Sequence, residues 1–209
     1  MEKCERLNVE AETALFKARG AFVDAELRQL ERRERDALAS DEYARIYPFY
    51  GTVGSSTVER CIRELGTWSR RDPGQPIRLV LTSPGGNVID GFALFDFIQE
   101  LRASGHHIET VALGWAASMG GILLQAGDKR IMGRSSWMLI HEISSANVGK
   151  TSEMEDELKF VKRLQERALD ILAERATFTK RQIANRWKRK DWWLDAPEAL
   201  RLGFVDEVR

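Results

Sequence analysis

An α/β fold with mostly parallel strands is what this 209-residue chain predicts. Three observations point to it. From residue 46 onward, short apolar runs of strand length alternate with segments whose apolar residues recur at helical spacing. Several of the apolar runs are continuous, as strands packed between helix layers are. Turn-forming residues separate the two kinds of segment, as at Asp72-Pro73-Gly74 and Ser83-Pro84-Gly85-Gly86.

The first 45 residues read differently. They carry 11 acidic and 9 basic side chains, no proline and one glycine. Phe16, Val23, Leu27 and Leu30 fall at helical spacings among charged residues, which predicts one long, weakly amphipathic helix. Two readings stay open, a solvated helix and an arm for oligomerisation or partner docking. The expected division is therefore a charged helical arm over 1–45 and a folded domain over 46–209.

Within the domain, residues 46–53 predict a first strand. Ser56 or Thr57 is expected to cap a helix carrying Val58, Cys61, Ile62 and Leu65 on one face. Ile77 to Leu81 reads as a strand buried on both faces. A helix is expected from about Asn87 to Ala103, then a strand from Ile108 to Leu113 that breaks at Gly114. Ser118 opens a short helix ending near Gly127. Trp137 to Ile140 reads as a strand, Ser152 to about Ala176 as a long helix capped by Thr151 or Ser152, and Thr179 to Trp187 as another helix. The last segments are strand-like at 192–194, helical at 196–202 and strand-like at 204–208.

Composition removes several function classes. Lys+Arg and Asp+Glu both number 32, so the formal net charge is zero. A dedicated nucleic-acid binder usually shows a basic excess, and neutrality instead favours self-association. Two distant cysteines, Cys4 and Cys61, with three histidines form no metal-ligand pattern. No metal or cofactor is expected. Thr110 to Gly127 runs 18 residues without a charge, but its four glycines suit a strand, a turn and a buried helix better than a membrane span. The first residues have no apolar stretch, so a cytoplasmic protein without a membrane partner is expected.

Three places could carry chemistry. Gly114-Trp115-Ala116-Ala117-Ser118-Met119-Gly120-Gly121 sets a serine between an apolar strand and a helix. Small neighbours permit a sharp bend, and free N–H groups at a helix start can stabilise an oxyanion. A plain helix-capping serine is the competing reading. Ser83-Pro84-Gly85-Gly86 ends a strand at the edge where α/β sheets bind ligands, and glycine lets backbone approach a ligand closely. It could equally be a tight turn. His141 follows the strand 137–140 and gains weight because a serine nucleophile needs a base. His106 and His107 sit at a helix-to-strand turn, where solvated histidines are expected.

In series, these residues resemble the proteolytic subunit family of Clp serine proteases. Ser83-Pro84-Gly85-Gly86, Ala117-Ser118-Met119-Gly120 and Met138-Leu139-Ile140-His141 match its motifs in order and approximate spacing. Asp191-Trp192-Trp193-Leu194-Asp195-Ala196-Pro197-Glu198-Ala199-Leu200 and Gly203-Phe204-Val205-Asp206 match its C-terminal pattern, so the resemblance covers about residues 46–209. It implies a Clp/crotonase-like superhelix of ββα units with a helical N-terminal arm. It implies a serine endopeptidase with Ser118 as nucleophile, His141 as general base and Asp191 as the group that orients the imidazole. The backbone N–H groups of Gly86 and Met119 would form the oxyanion hole. Asp195 and Asp206 are rivals for the role of Asp191, and motif alignment alone selects among them. The resemblance also implies a homo-oligomeric ring, a heptamer or stacked double heptamer, whose chamber takes unfolded or flexible protein chains. An AAA+ unfoldase partner would supply any ATP hydrolysis, since no GxxxxGK[ST] loop is present.

The chain departs from the family pattern in three places. Glu142-Ile143 stands where Clp subunits usually have Gln-Pro. The following glycine-rich strand is reduced to Ser144-Ser145-Ala146-Asn147-Val148-Gly149, and the 45-residue arm is unusual. In the family, the helix 152–176 interlocks two rings, and here Leu158, Val161, Leu164, Leu169 and Leu172 would be buried on one side. The six basic residues between Lys180 and Lys190 read as a solvated face. Alternatives are a phage head-maturation protease acting on scaffold or capsid proteins, a crotonase-like enzyme acting on a coenzyme A thioester, and a non-catalytic ring subunit.

Overall fold

The computed structural model describes residues 2–145 and 148–209, with side chains described from Leu15 onward. Contacts divide the chain between Ala44 and Arg45 into two units. The first contains α1 (Glu2–Leu38) and the single turn α2 (Asp41–Ala44). The expected unbroken helix is interrupted at Ser40. Its hydroxyl donates to the Ala37 carbonyl (2.7 Å) and accepts the Tyr43 N–H (3.1 Å), ending one helix and opening the next. Phe16, Phe22, Val23, Leu27 and Leu30 of α1 are all exposed.

The second unit contains β1 (Ile46–Tyr50), α3 (Ser55–Arg71), β2 (Ile77–Ser83), α4 (Val88–Ala103), β3 (Ile108–Ala117), α5 (Met119–Leu124), β4 (Lys129–Met132), β5 (Trp137–Ile140), α6 (Thr151–Ala173), α7 (Lys180–Trp187), β6 (Trp192–Asp195), α8 (Ala196–Arg201) and β7 (Glu207–Val208). One path through the sheet runs β1-β2-β3-β4-β7, all parallel, and β5 pairs with β3 on one side and antiparallel with β6 on the other. This is the mixed α/β architecture with a parallel sheet that the alternation of apolar runs and helices predicts.

The centre of the sheet is forked. Glu109–Ala112 of β3 pairs with β4, whereas Trp115–Ala117 pairs with β5. Between them lie Gly114, at φ 75, and a register shift against β2. The expected break at Gly114 is thus a bend inside one longer strand: a glycine accommodates the left-handed backbone and pairing resumes beyond it. β4 was not expected. Its sequence, Lys-Arg-Ile-Met, opens on two charges, but Arg130 is buried because it is paired (below).

Other differences have local causes. Strand β2 is not buried on both faces. Ile77, Leu79 and Leu81 are fully buried, while Arg78 and Val80 are half-buried. Arg78 donates to Glu109 on the adjacent strand, which keeps a charged pair on that face. α3 begins at Ser55 with Gly54 at its cap, and Thr57 supplies the reverse half of the cap by accepting the Gly54 N–H at 3.1 Å. α6 begins at Thr151, and Glu153 accepts the Lys150 N–H at 3.1 Å. Asn87, where the helix was expected to start, caps α4 by accepting the Asp90 N–H at 3.0 Å. Only the second half of α6 is covered: Leu169 and Leu172 are buried, but Leu158 is half exposed.

The core lies between the sheet and its helices. Leu65, Leu79, Leu81, Leu94, Ile98, Leu123 and Phe204 are all within 1% of full burial. Each large apolar side chain so buried contributes about 1.5–3 kcal/mol against the entropy of ordering the chain. One buried charge is built into this layer. Arg130, 3% exposed, makes a two-pronged bond to Asp206 (3.1 and 2.7 Å) and reaches the Gln125 side chain at 2.7 Å. Arg175 binds the same carboxylate at 2.8 Å. Burial opposes ionisation of Asp206, but hydrogen bonds from Arg130 and the charges of Arg130 and Arg175 outweigh it and hold its pKa below the ordinary value.

Removing that carboxylate strands a buried guanidinium. Asp206→Ala should cost roughly 3 kcal/mol, a fall in Tm of about 6–12 °C. Because the folded pKa is depressed, the stabilisation is fully present above the unfolded value of about 3.9 and is lost as pH falls through the folded pKa. Thermal melts between pH 7 and pH 3 should therefore show wild type losing its advantage over Asp206→Ala below about pH 4.

Candidate active site

The C-terminal ends of β2, β3 and β5 lie side by side, at the edge where parallel sheets bind ligands. β2 leads into Pro84-Gly85-Gly86, β3 into Ser118 and β5 into His141. β6 starts one residue after Asp191 and runs antiparallel to β5. Four separate segments of chain, at 84–86, 118, 141 and 191, are therefore brought together.

Ser118 has φ 54 and ψ −122, a backbone state that a non-glycine residue adopts at a cost of about 1–3 kcal/mol. Three contacts impose it. Its N–H donates to the Leu139 carbonyl at 2.9 Å, extending the β3–β5 pairing by one residue. Its carbonyl accepts the N–H of Gly121 at 3.0 Å, starting α5. Gly85 packs so closely that a Cβ there would sit 2.6 Å from the Ser118 Cβ and 2.7 Å from the Ala117 carbonyl. Ser118 precedes α5 but makes no side-chain cap bond, so the helix-capping reading of its hydroxyl falls.

Gly86 is also required by contact. It bridges to Val53 through Val53 N–H to Gly85 O (2.8 Å) and Asn87 N–H to Val53 O (2.8 Å). These bonds use its neighbours' groups and leave the Gly86 N–H itself without an acceptor among the described residues. Met119 N–H, in the first turn of α5, is in the same condition. A helix start leaves such donors unsatisfied. Gly86, Ser118, Met119 and His141 line one cavity of about 60 Å³, whose remaining wall is mostly apolar and includes Ile122, Leu139 and Trp187.

His141 directly follows β5. Its Nδ1 lies 3.7 Å from Asp191 Oδ1, and the imidazole is a quarter exposed. At that distance the two are close enough for charge attraction but not hydrogen bonded. The His141 Nε2 is buried and has no hydrogen-bond partner among the described residues. Asp191 itself is 61% exposed.

The two rival carboxylates are engaged elsewhere. Asp195 accepts the Glu198 N–H at 2.8 Å and caps α8, and Asp206 holds Arg130 and Arg175. The histidine pair at the helix-to-strand turn is not uniformly solvated. His107 is exposed, but His106 is 3% exposed. Gln75 O, 2.7 Å from its Nδ1, can only accept, so Nδ1 carries a proton, and Nε2 lies 2.8 Å from Ser69 Oγ, within hydrogen-bond reach. That ring ties α3 to the turn before β2 and away from the cavity. The basic stretch 180–190 is partly engaged: Lys180 pairs with Glu166 and Asp170, and Arg186 lies over the rings of Phe178 and Trp192. Ala146 and Asn147, in the segment where the family's glycine-rich strand is expected, lie outside the described residues. Among the described residues, no cluster of His, Cys, Asp or Glu could hold a metal ion, and no helix is long and apolar enough to cross a membrane.

Residues 33–209 match the Clp protease family. The chain belongs to that family. It is 30% identical over 186 residues to the ATP-dependent Clp protease proteolytic subunit of Deinococcus radiodurans, covering 86% of this chain and 89% of that one. It is 36% identical over 140 residues to the ATP-dependent Clp protease proteolytic subunit 2 of Tropheryma whipplei, covering 66% of this chain and 76% of that one. Neither relative lends support to the thioester or head-maturation alternatives.

The tight backbone approach makes a specific prediction. A Cβ on Gly86 would lie 2.2 Å from the Val53 carbonyl oxygen, at a φ of 146 that side chains resist. Gly86→Ala should therefore shift the 84–87 loop and lower Tm, whereas Gly51→Ala, with no atom within 4 Å of its Cβ, should show only the cost of its φ of 95. Parallel thermal melts of the two variants check this.

Proposed function

We propose that this chain is a serine endopeptidase subunit in which Ser118 is the nucleophile, His141 the general base and Asp191 the orienting acid. The observation that carries the reading is the pairing of two unspent groups in one cavity: a serine hydroxyl not used for capping, and a buried imidazole nitrogen with no partner. Burying such a nitrogen unsatisfied is costly, and a catalytic role is one of the reasons such atoms are retained.

The chemistry follows from that placement. Ser118 Oγ attacks the scissile carbonyl carbon while His141 Nε2 takes its proton. The C–O bond that forms pushes the carbonyl electrons onto oxygen, and the N–H groups of Gly86 and Met119 stabilise that oxyanion. Losing one such donor typically lowers turnover about 10²–10³-fold. Collapse of the adduct breaks the C–N bond, and His141 returns its proton to the leaving amine. A water then repeats the sequence on the acyl-enzyme. Asp191 stabilises the imidazolium formed in each half. Its 3.7 Å separation from His141 is a resting distance that substrate or assembly must shorten.

The apolar wall of the cavity supports a preference for an apolar side chain at the residue whose carbonyl is attacked. The relatives are named proteolytic subunits of an ATP-dependent protease. That supports assembly into a homo-oligomeric ring, seven subunits or two stacked sevens by family resemblance, fed with unfolded chains by a separate AAA+ unfoldase. The chain's own lack of a phosphate-binding GxxxxGK[ST] loop requires that ATP be hydrolysed elsewhere.

A fluorophosphonate should add once per chain by intact mass, and Ser118→Ala should abolish the adduct and lower peptide cleavage by at least about 10³-fold. An adduct that persists in Ser118→Ala overturns the assignment. With the same assay, a peptide series varied at the cleaved residue should be cut faster with Leu than with Asp there. Equal rates would show that the apolar wall does not select the substrate.

A further inference from the structure

We propose that Glu142, where the family usually has glutamine, is a positioning residue that holds the Asp191 loop against His141. The proposal rests on the reading of His141 and Asp191 given above. Its physical basis is the end of the β5–β6 ladder. Registered pairs run from Trp137↔Asp195 to Ile140↔Trp192. The same register extended by one residue sets His141 opposite Asp191. Beyond that point no backbone pair holds the strands together. Instead, the Glu142 carboxylate crosses over and accepts the N–H of Arg189 at 3.0 Å.

The loop needs such a hold. Between buried Trp187 and half-buried Trp192 the chain passes through Lys188, Arg189, Lys190 and Asp191. Arg189 has φ 56, an unfavourable state for a side chain of its size. Lys190 N–H donates to Trp187 O at 3.1 Å and closes the turn. Asp191 is largely exposed, so no packing fixes it. Its place comes from the ladder on one side and from Glu142 on the other. The next residue is anchored too, since Ile143 N–H donates to Gln165 of α6 at 3.3 Å. With His141–Asp191 already at 3.7 Å, a small drift of the loop removes their interaction.

What acts is the acceptor oxygen, not the charge. Glu142→Gln keeps an acceptor and Glu142→Ala does not. The side chain is half exposed, so both variants should fold, with Tm close to wild type. Fluorophosphonate addition should be about tenfold slower in Glu142→Ala and within about threefold of wild type in Glu142→Gln. Peptide cleavage by Glu142→Ala should lose kcat with KM unchanged. In an Asp191→Ala background, Glu142→Ala should have no further effect, because the two act as one unit.

Three results would overturn the proposal: Glu142→Ala as fast as wild type, Glu142→Gln as slow as Glu142→Ala, or a full additional loss on top of Asp191→Ala. Failure of wild type itself to form the Ser118 adduct would be a different result. It would remove the serine protease assignment of these residues, and this inference with it.

Discussion

The backbone of Ser118 is the constraint on which the rest of the site depends. A residue at φ 54 does not stay there by preference. It is held by the Leu139 carbonyl from β5, by the first turn of α5, and by the absence of a side chain at Gly85. Each belongs to a different crossover of the sheet. The site therefore forms only when β2, β3 and β5 are in register, and it is a product of the tertiary fold rather than of the local sequence.

The same bond that strains Ser118 also locates His141. Leu139 is two residues before His141 on a strand of four, so fixing the Leu139 carbonyl fixes the origin of the histidine. The antiparallel partner β6 then brings Asp191 opposite. Around this frame the helices contribute donors and walls. α5 presents the Met119 N–H, Gly91 of α4 makes room for the Met119 side chain, and α6 and α7 close the apolar side through Leu172 and Trp187.

Much of this was legible in the sequence, for identifiable reasons. The starts of α4 and α7 were expected at Asn87 and Thr179, and both residues cap the helices that follow them. Ser118 and His141 stood out because small residues flank one and an apolar strand precedes the other. What could not be read was set by distant partners. β4 escaped notice because Arg130 looks like a surface residue until Asp206, 76 positions on, neutralises it. His106 looked solvated because Ser69 and Gln75, its partners, lie more than thirty residues earlier. That Asp195 caps a helix and Asp206 holds an ion pair could not be read from the sequence either, because both partners are set by the fold. The weight on Glu142 likewise needed the fold, although the sequence had marked it as a departure.

The fork in β3 has a consequence for how this protein can change over time. One strand keeps step with β4 through Ala112 and with β5 from Trp115, while Gly114 takes up the mismatch between them. The spacing from Ala112 to Ser118 is thus a fixed length. Inserting or deleting a single residue there would exchange the inward and outward faces of 115–117 and rotate the serine out of the cavity. The turn 72–76 is not caught between two strand partners in this way, although Gln75 O holds the buried His106 ring. Among descendants of this chain, the Ala112–Ser118 interval should keep its length long after its side chains have diverged.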